Sequence, residues 1–296
     1  MYFEPKMLKL QTGQVVEFYS NSCCVVSEGK EFKCKILGRI NLVVGDFVEI
    51  EQVHNVGKHQ ALVTKRLDRL TALYKSKEGG KKPIAANISH IGILVTKSPK
   101  TNLGFIDKWI AISINASIEP FIIFNKIDVL NSNDFKEDEV VYKDIGIKTF
   151  HISAKLFTNI NDLKEYLLKK TTMFVGNSGS GKSTLTSAIT GKKILSRALS
   201  NNQGVHTTSV STLYSTNEMQ IIDSPGVRDI NIDHLRQEEV ILGFSEIKNF
   251  ASRCAFPRCS HQNDASCAVI NAVKNGDIKE SRYNNFIFLT KEKINE

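Results

Sequence analysis

Residues 171–185 read TTMFVGNSGSGKSTL, and the reading of this stretch decides the fold. Met173, Phe174 and Val175 form the end of an expected buried strand. Directly after them, Gly176-Asn177-Ser178-Gly179-Ser180-Gly181-Lys182-Ser183 fits G-x-x-x-x-G-K-[ST] without a gap. Such a loop binds phosphate because its glycines let backbone N–H groups converge on an anion where a helix begins. Lys182 is placed to reach the β- and γ-phosphates, and Ser183 offers a hydroxyl to Mg²⁺ as the helical run over 184–189 opens with Thr184. An ordinary Gly/Ser-rich turn does not explain eight spaced positions between an apolar strand and a helix.

Phosphate loops hold ATP as well as GTP, so the base must be read elsewhere. Upstream, the apolar run 121–124 enters Asn125-Lys126-Ile127-Asp128, which is N-K-x-D at the carboxyl end of a strand. The Asp128 carboxylate can accept from guanine N1–H and the 2-amino group together, a pairing that adenine cannot supply, and this points to GTP and GDP. Asn125 is expected to tie this loop to the phosphate loop, and the Lys126 stem to cover the base. Ser153-Ala154-Lys155 follows the next strand and matches the loop whose backbone N–H meets the guanine oxygen. On the γ-phosphate side, Asp223-Ser224-Pro225-Gly226 ends a strand as D-x-P-G, where Asp223 can hold Mg²⁺ through water and the Gly226 N–H can meet the phosphate. The polar loop Gly204-Val205-His206-Thr207-Thr208 supplies a threonine for the Mg²⁺ shell, with Thr208 favoured over Thr207.

At 296 residues, with 41% apolar and 24% charged residues, the chain has the composition of a soluble protein of two or three domains. No apolar run approaches a bilayer span, and the opening MYFEPKMLKL lacks the apolar core of a secretory signal, so no membrane partner and a cytoplasmic location are expected. The net charge of +8 favours an acidic partner, nucleic acid foremost. Much of it lies in 58–82, where eight lysines and arginines face two carboxylates, and 65–82 reads as a basic linker. Before it, 13–64 carries about five short alternating runs, the fourth starting at Val43, which suggests a small closed β-barrel of the oligonucleotide-binding type. Phe18, Tyr19, Phe32 and Phe47 are candidate stacking faces for bases, although burial in the barrel accounts for them more simply. Cys23, Cys24 and Cys34 read as structural. After the linker, strands alternate with helical stretches as in a parallel α/β sheet covered on both faces.

The other three cysteines sit with a histidine in Cys254-x₄-Cys259-x-His261-x₅-Cys267. Three soft thiolates and one imidazole within fourteen residues suit a tetrahedral structural Zn²⁺, one ion per chain. So short a module buries little apolar area, and the metal is expected to supply much of its folding free energy.

The nucleotide elements run in the order N-K-x-D, S-A-K, phosphate loop, threonine loop, D-x-P-G, whereas Ras-like chains begin with the phosphate loop. The core therefore reads as circularly permuted. With an N-terminal barrel, a C-terminal Cys/His module, Val43-Val44-Gly45-Asp46 and Lys82-Pro83-Ile84-Ala85-Ala86-Asn87, the chain resembles the ribosome small-subunit-dependent GTPase A (RsgA) family along nearly its whole length. The expected divisions are an oligonucleotide-binding barrel over 1–68, a circularly permuted Ras-like α/β phosphate-loop GTPase core over 69–232 and a small helical zinc-binding domain over 233–296. The resemblance implies a GTPase that binds the 30S subunit and 16S rRNA late in assembly and turns over under ribosomal stimulation; a monomer is expected. Val227 stands where Ras-like enzymes carry their water-orienting glutamine. The resemblance implies that His206 takes that task beside Lys182 and Thr208. Two other readings stay open: an RNA-binding module in which GTP is structural, and a metabolic phosphate-loop ATPase or kinase, against which N-K-I-D argues.

Overall fold

The computed structural model describes residues 10–19, 21–56, 59–77, 80–129, 134–191, 211–216, 218–223, 230–257 and 259–291. Strands β1 (Leu10–Tyr19), β2 (Ser22–Ser27), β3 (Lys30–Ile36), β4 (Phe47–Val56) and β5 (His59–Arg66) pair in the order β1-β2-β3-β5-β4, and β4 returns to β1. The barrel is closed, with β3 and β5 parallel. Period-two alternation fills it with Val15, Val25, Cys34, Val48, Ile50, Ala61 and Val63. Cys23 and Cys34 point inward, and Cys24 points out into the core shared with the rest of the molecule. Of the four aromatics, Phe18 and Phe32 lie against the barrel core, while Tyr19 is 43% and Phe47 39% exposed.

Two expectations are corrected. The fourth strand begins at Phe47, because 43–46 forms a turn. Its Asp46 Oδ2 accepts from the Val43 N–H at 2.8 Å, and Gly45 sits at φ 89°, so close to Ala86 that a Cβ would lie 2.1 Å from the Ala86 carbonyl oxygen. The basic stretch is no linker either, since β6 (Ala72–Lys77) and β7 (Gly80–Ala86) pair as an antiparallel hairpin. Leu73, Ala85 and Ala86 are buried where β6 begins and β7 ends, while Lys77, Lys81 and Lys82 are exposed where β6 ends and β7 begins. Lys81 Nζ lies 4.6 Å from the Tyr74 ring centroid.

The central unit follows as β8 (His90–Val95), α1 (Leu103–Asn115), β9 (Glu119–Asn125), α2 (Lys136–Lys143), β10 (Lys148–Ile152), α3 (Ile160–Leu167), β11 (Thr171–Val175), α4 (Lys182–Thr190), β12 (Thr212–Ser215) and β13 (Gln220–Asp223). Strand order is β10-β9-β8-β11-β13-β12; the first five are parallel and β12 runs against β13. All six residues of β8 are buried, as a strand covered on both faces requires. One face meets α3 and α4 through Leu163, Leu167, Leu185 and Ile189. The other meets α1 and α2 through Ile106, Trp109, Ile110 and Tyr142, each large side chain contributing roughly 1.5–3 kcal/mol of burial. Over that second face lie the short helices α5 (Gln237–Val240), α6 (Ser245–Ala251), α7 (Ala268–Lys274) and α8 (Glu280–Lys291). No helix of the described residues is long and apolar enough to cross a membrane.

Candidate functional site

The N-K-x-D, S-A-K and phosphate loops follow the carboxyl ends of β9, β10 and β11, and Asp223 ends β13 on the same edge, where ligands bind in open α/β sheets. The loop after β11 can approach a ligand because of its glycines. Gly179 and Gly181 hold φ of 75° and 96°, and a Cβ on Gly181 would stand 2.5 Å from Asn125 Nδ2. A Cβ on Gly176 would meet Ser180 Oγ at 2.6 Å. The N-cap of α4 is Gly181, which brings no capping side chain, so the first N–H groups of the helix are a donor set that fits an anion. Lys182 Nζ folds back to donate to the carbonyls of Gly176 at 2.6 Å and Asn177 at 2.9 Å. Ser178, Gly179 and Thr184 are exposed, Asn177 and Ser183 half-buried. Ser180 is buried, and its hydroxyl oxygen has no hydrogen-bond partner among the described residues.

Asn125, only 2% exposed, joins three loops with one side chain. Its Nδ2 donates to the Ser180 carbonyl at 2.9 Å and its Oδ1 accepts from the Ala154 N–H at 3.0 Å. An amide has one donor end and one acceptor end, and a buried aspartate or leucine could not serve both. Lys126 takes φ 69° and reaches Ser98, donating to its carbonyl at 2.7 Å. Ile127 and Asp128 form a short helical turn in which the Asp128 carboxylate is exposed. Ser153 is buried and its Oγ accepts from the Leu156 N–H, while Lys155 is exposed. Asp223 closes β13, paired across to Thr212. His206, Thr208 and Gly226 lie outside the described residues.

The second cluster stands apart from the first. Cys254, Cys259, His261 and Cys267 bring their ligand atoms within 4.8 Å of one another, so they could hold a metal ion. His261 Nδ1 is 3.6 Å from Cys254 Sγ and 3.5 Å from Cys267 Sγ. The surroundings fix the ligands: Tyr283 on α8 donates to the His261 carbonyl at 2.7 Å, and Cys267 Sγ accepts from the Ile270 N–H at the head of α7. Burial pushes the Cys259 thiol up to about 12. At Cys254 burial acts the same way, but N–H groups of Ala268 and Val269 overcome it and hold this thiol below its ordinary value.

Sequence reasoning missed the charged cluster under this module. Arg282 of α8, 1% exposed, donates to Asp107 of α1 at 2.8 Å and to Glu246 of α6 at 2.7 Å. Asp107 also accepts from Tyr142 at 2.9 Å and from Asn285 at 2.6 Å. The available signal is that Asp107 falls in the stripe with Ile110 and Ala111, where a charge needs a partner.

A central parallel sheet whose chain reaches the guanine-type loops first and the phosphate loop fourth among its strands defines a circularly permuted phosphate-loop GTPase. The family model of the RsgA GTPase matches residues 66–233. A small ribosomal subunit biogenesis GTPase RsgA of Actinobacillus succinogenes is 34% identical, over 96% of this chain and 84% of that protein. The Hamiltonella defensa protein of the same name is 37% identical over 70% of this chain, which spans 61% of that relative. Among solved structures, YjeQ from Thermotoga maritima matches with TM-score 0.77 at 28% identity, covering 97% of this chain and 100% of that one. YloQ, a circularly permuted GTPase, matches in fold with TM-score 0.74 at 20% identity, over 99% and 98%. The chain belongs to the RsgA GTPase family, whose members are hydrolases acting on GTP.

Proposed function

We propose that this chain hydrolyses GTP to GDP while bound to the 30S ribosomal subunit, acts in late assembly of that subunit, and turns over faster when the subunit is present. The observation that carries the reading is Asn125, which locks the N-K-x-D, S-A-K and phosphate loops into one cradle through Ser180 and Ala154. In this reading Asp128 pairs with guanine, the Lys126 stem covers the base, and backbone N–H groups from 176–183 hold the phosphates. Lys182 exchanges its two loop carbonyls for phosphate oxygens when the triphosphate arrives, so its ammonium stays paired in both states. Ser183, Asp223 and Thr208 would hold Mg²⁺, which supplies charge neutralisation on the phosphates. His206 orients the attacking water, and Gly226 reads the γ-phosphate. Cys254, Cys259, His261 and Cys267 would hold one Zn²⁺ that keeps the helical module folded. The barrel, the hairpin lysines and that module form the side facing 16S rRNA. The protein works in the cytoplasm as a monomer.

The deciding experiment is GTP hydrolysis with and without purified 30S subunits, on wild type and on His206→Ala. Stimulation that the substitution abolishes while nucleotide affinity holds is the expected result. Turnover indifferent to 30S subunits would replace this reading with an RNA-binding module for which GTP is structural.

A further inference from the structure

The four-residue strand β12 would be the bare edge of the central sheet, but the barrel occupies that edge. Glu17 of β1 pairs with Thr212 of β12, and Thr212 pairs on its other side with Asp223 of β13. One line of residues thus runs from the barrel wall to the aspartate that ends β13. Side chains reinforce it. Gln220 of β13 donates from Nε2 to Gln14 Oε1 of β1 at 2.7 Å, and its Oε1 accepts from Thr171 Oγ1 on the phosphate-loop strand β11 at 2.8 Å. Adjacent barrel residues divide between two cores: Val15 faces the barrel interior, while Val16 lies with Leu213 and Ile222 beneath the central sheet. The pairing of β1 with β2 shifts register between Val15 and Glu17, as at a bulge, which re-aims a side chain and raises local twist.

We propose that the barrel is part of the hydrolytic machinery's frame: through Gln14, Val16 and Glu17 it positions β12 and β13 and so sets where Asp223 stands. These are positioning residues, because they act on Asp223 through β12 and β13 and belong to none of the nucleotide loops. A short strand held on one edge only is among the first parts of a sheet to open, and a displacement of about 1 Å at a reacting centre can cost on the order of a hundredfold in rate. The guanine and β-phosphate side has its own tie in Asn125, and Gln220 touches its strand only at Thr171, the far end of β11 from the phosphate loop, so hydrolysis depends on this contact more than nucleotide binding does. The two halves of the site therefore have different main supports.

The inference rests on the GTPase reading and is tested with the full-length protein. Gln14→Leu removes the amide pair while keeping bulk, Gln220→Leu removes it together with the Thr171 bond, and Val16→Ala thins the apolar contact without touching a polar group. In each variant kcat for GTP is expected to fall about fivefold to tenfold, with the GDP dissociation constant, read with a fluorescent GDP analogue, within about twofold of wild type. Hydrogen exchange of amides in 212–223 should quicken, and the Gln14/Gln220 double variant should be no slower than Gln220→Leu alone. Unchanged kcat in these variants, or GDP affinity lost in step with kcat, overturns the proposal. A wild-type protein that neither binds nor hydrolyses GTP would instead overturn the GTPase reading itself.

Discussion

The barrel meets the central sheet edge to edge, through β1 on β12 and the Gln14–Gln220 amide pair, whereas the C-terminal helices are held by a guanidinium that water does not reach. Arg282 binds two carboxylates, donates to the Gly243 carbonyl at 2.9 Å and lies 4.2 Å from the Phe244 ring centroid. Edge pairing uses groups that every residue carries, so it constrains sequence little and geometry much. A buried charge does the reverse: it tolerates no loss of a partner, because whatever remains is left ionised without water. The two attachments should therefore fail differently.

The largest difference concerns the metal. The module is expected to depend on Zn²⁺ for its own fold, and the barrel on nothing but its core. Cys267→Ala removes both a ligand and the acceptor at the head of α7, and metal content should fall from one zinc per chain to near zero. An apparent binding energy on the order of 10 kcal/mol is lost with it, which should melt the region around α6 and α7 while the strands persist. Metal analysis by mass spectrometry with far-ultraviolet circular dichroism checks this. Metal-free protein that unfolds in the same way as the loaded form would show that the helices stand on packing alone.

Next comes the guanidinium. Arg282→Met leaves Asp107 and Glu246 facing each other across an apolar wall and should cost about 3–5 kcal/mol in urea unfolding. Its pH dependence has a definite sign. Burial pushes the Asp107 carboxyl above its usual range, against the pull of Arg282, and removing Arg282 lets burial act further. A carboxyl raised in the folded state costs stability in full above its folded pKa, and that cost shrinks as pH falls from there towards the ordinary carboxylate range. The gap between variant and wild type should accordingly narrow from pH 8 to pH 5.5. A gap that is constant over that range would mean that Asp107 does not titrate with the variant's folding.

How much of this could be read from residues alone follows the same division. The cradle was legible because phosphate and guanine recognition demand fixed residue types at fixed short spacings, and Asn125, Ser180 and Ala154 come from three such stretches. The barrel was legible through alternation, except at 43–46, where a left-handed Gly45 interrupts a run whose composition is that of a strand. The hairpin at 72–86 was hidden by its lysines: the charge suggested a linker, while the residues that fix the pairing, Leu73 and Ala85, are few and small. The Arg282–Asp107 contact joins residues 175 positions apart, and nothing in local spacing says which carboxylate an isolated arginine will find. Asp107 alone, seated among Ile106, Ile110 and Ala111, announced that a partner existed. The edge contact of β1 with β12 was equally silent, since main-chain pairing leaves almost no mark on side-chain choice.

The smallest effects fall within the barrel side and ask whether burial, rather than charge, is what separates the two attachments. Arg69 reaches the fully buried Asp46 with both prongs of its fork, at 2.6 and 2.8 Å, and so ties the 43–46 turn to the segment leading into the hairpin. Lys65 meets Glu49 at 3.6 Å with its side chain 65% exposed. Arg69→Lys keeps the charge but cannot supply two parallel N–H groups, and should cost about 1–3 kcal/mol. Lys65→Ala gives up only a screened surface pair and should stay within about 0.5 kcal/mol of wild type. Urea unfolding of both variants side by side decides the matter. If Lys65→Ala proves as costly as Arg69→Lys, then solvent exposure does not set the worth of these contacts, and the contrast drawn between a charge-held module and an edge-held barrel loses its physical basis.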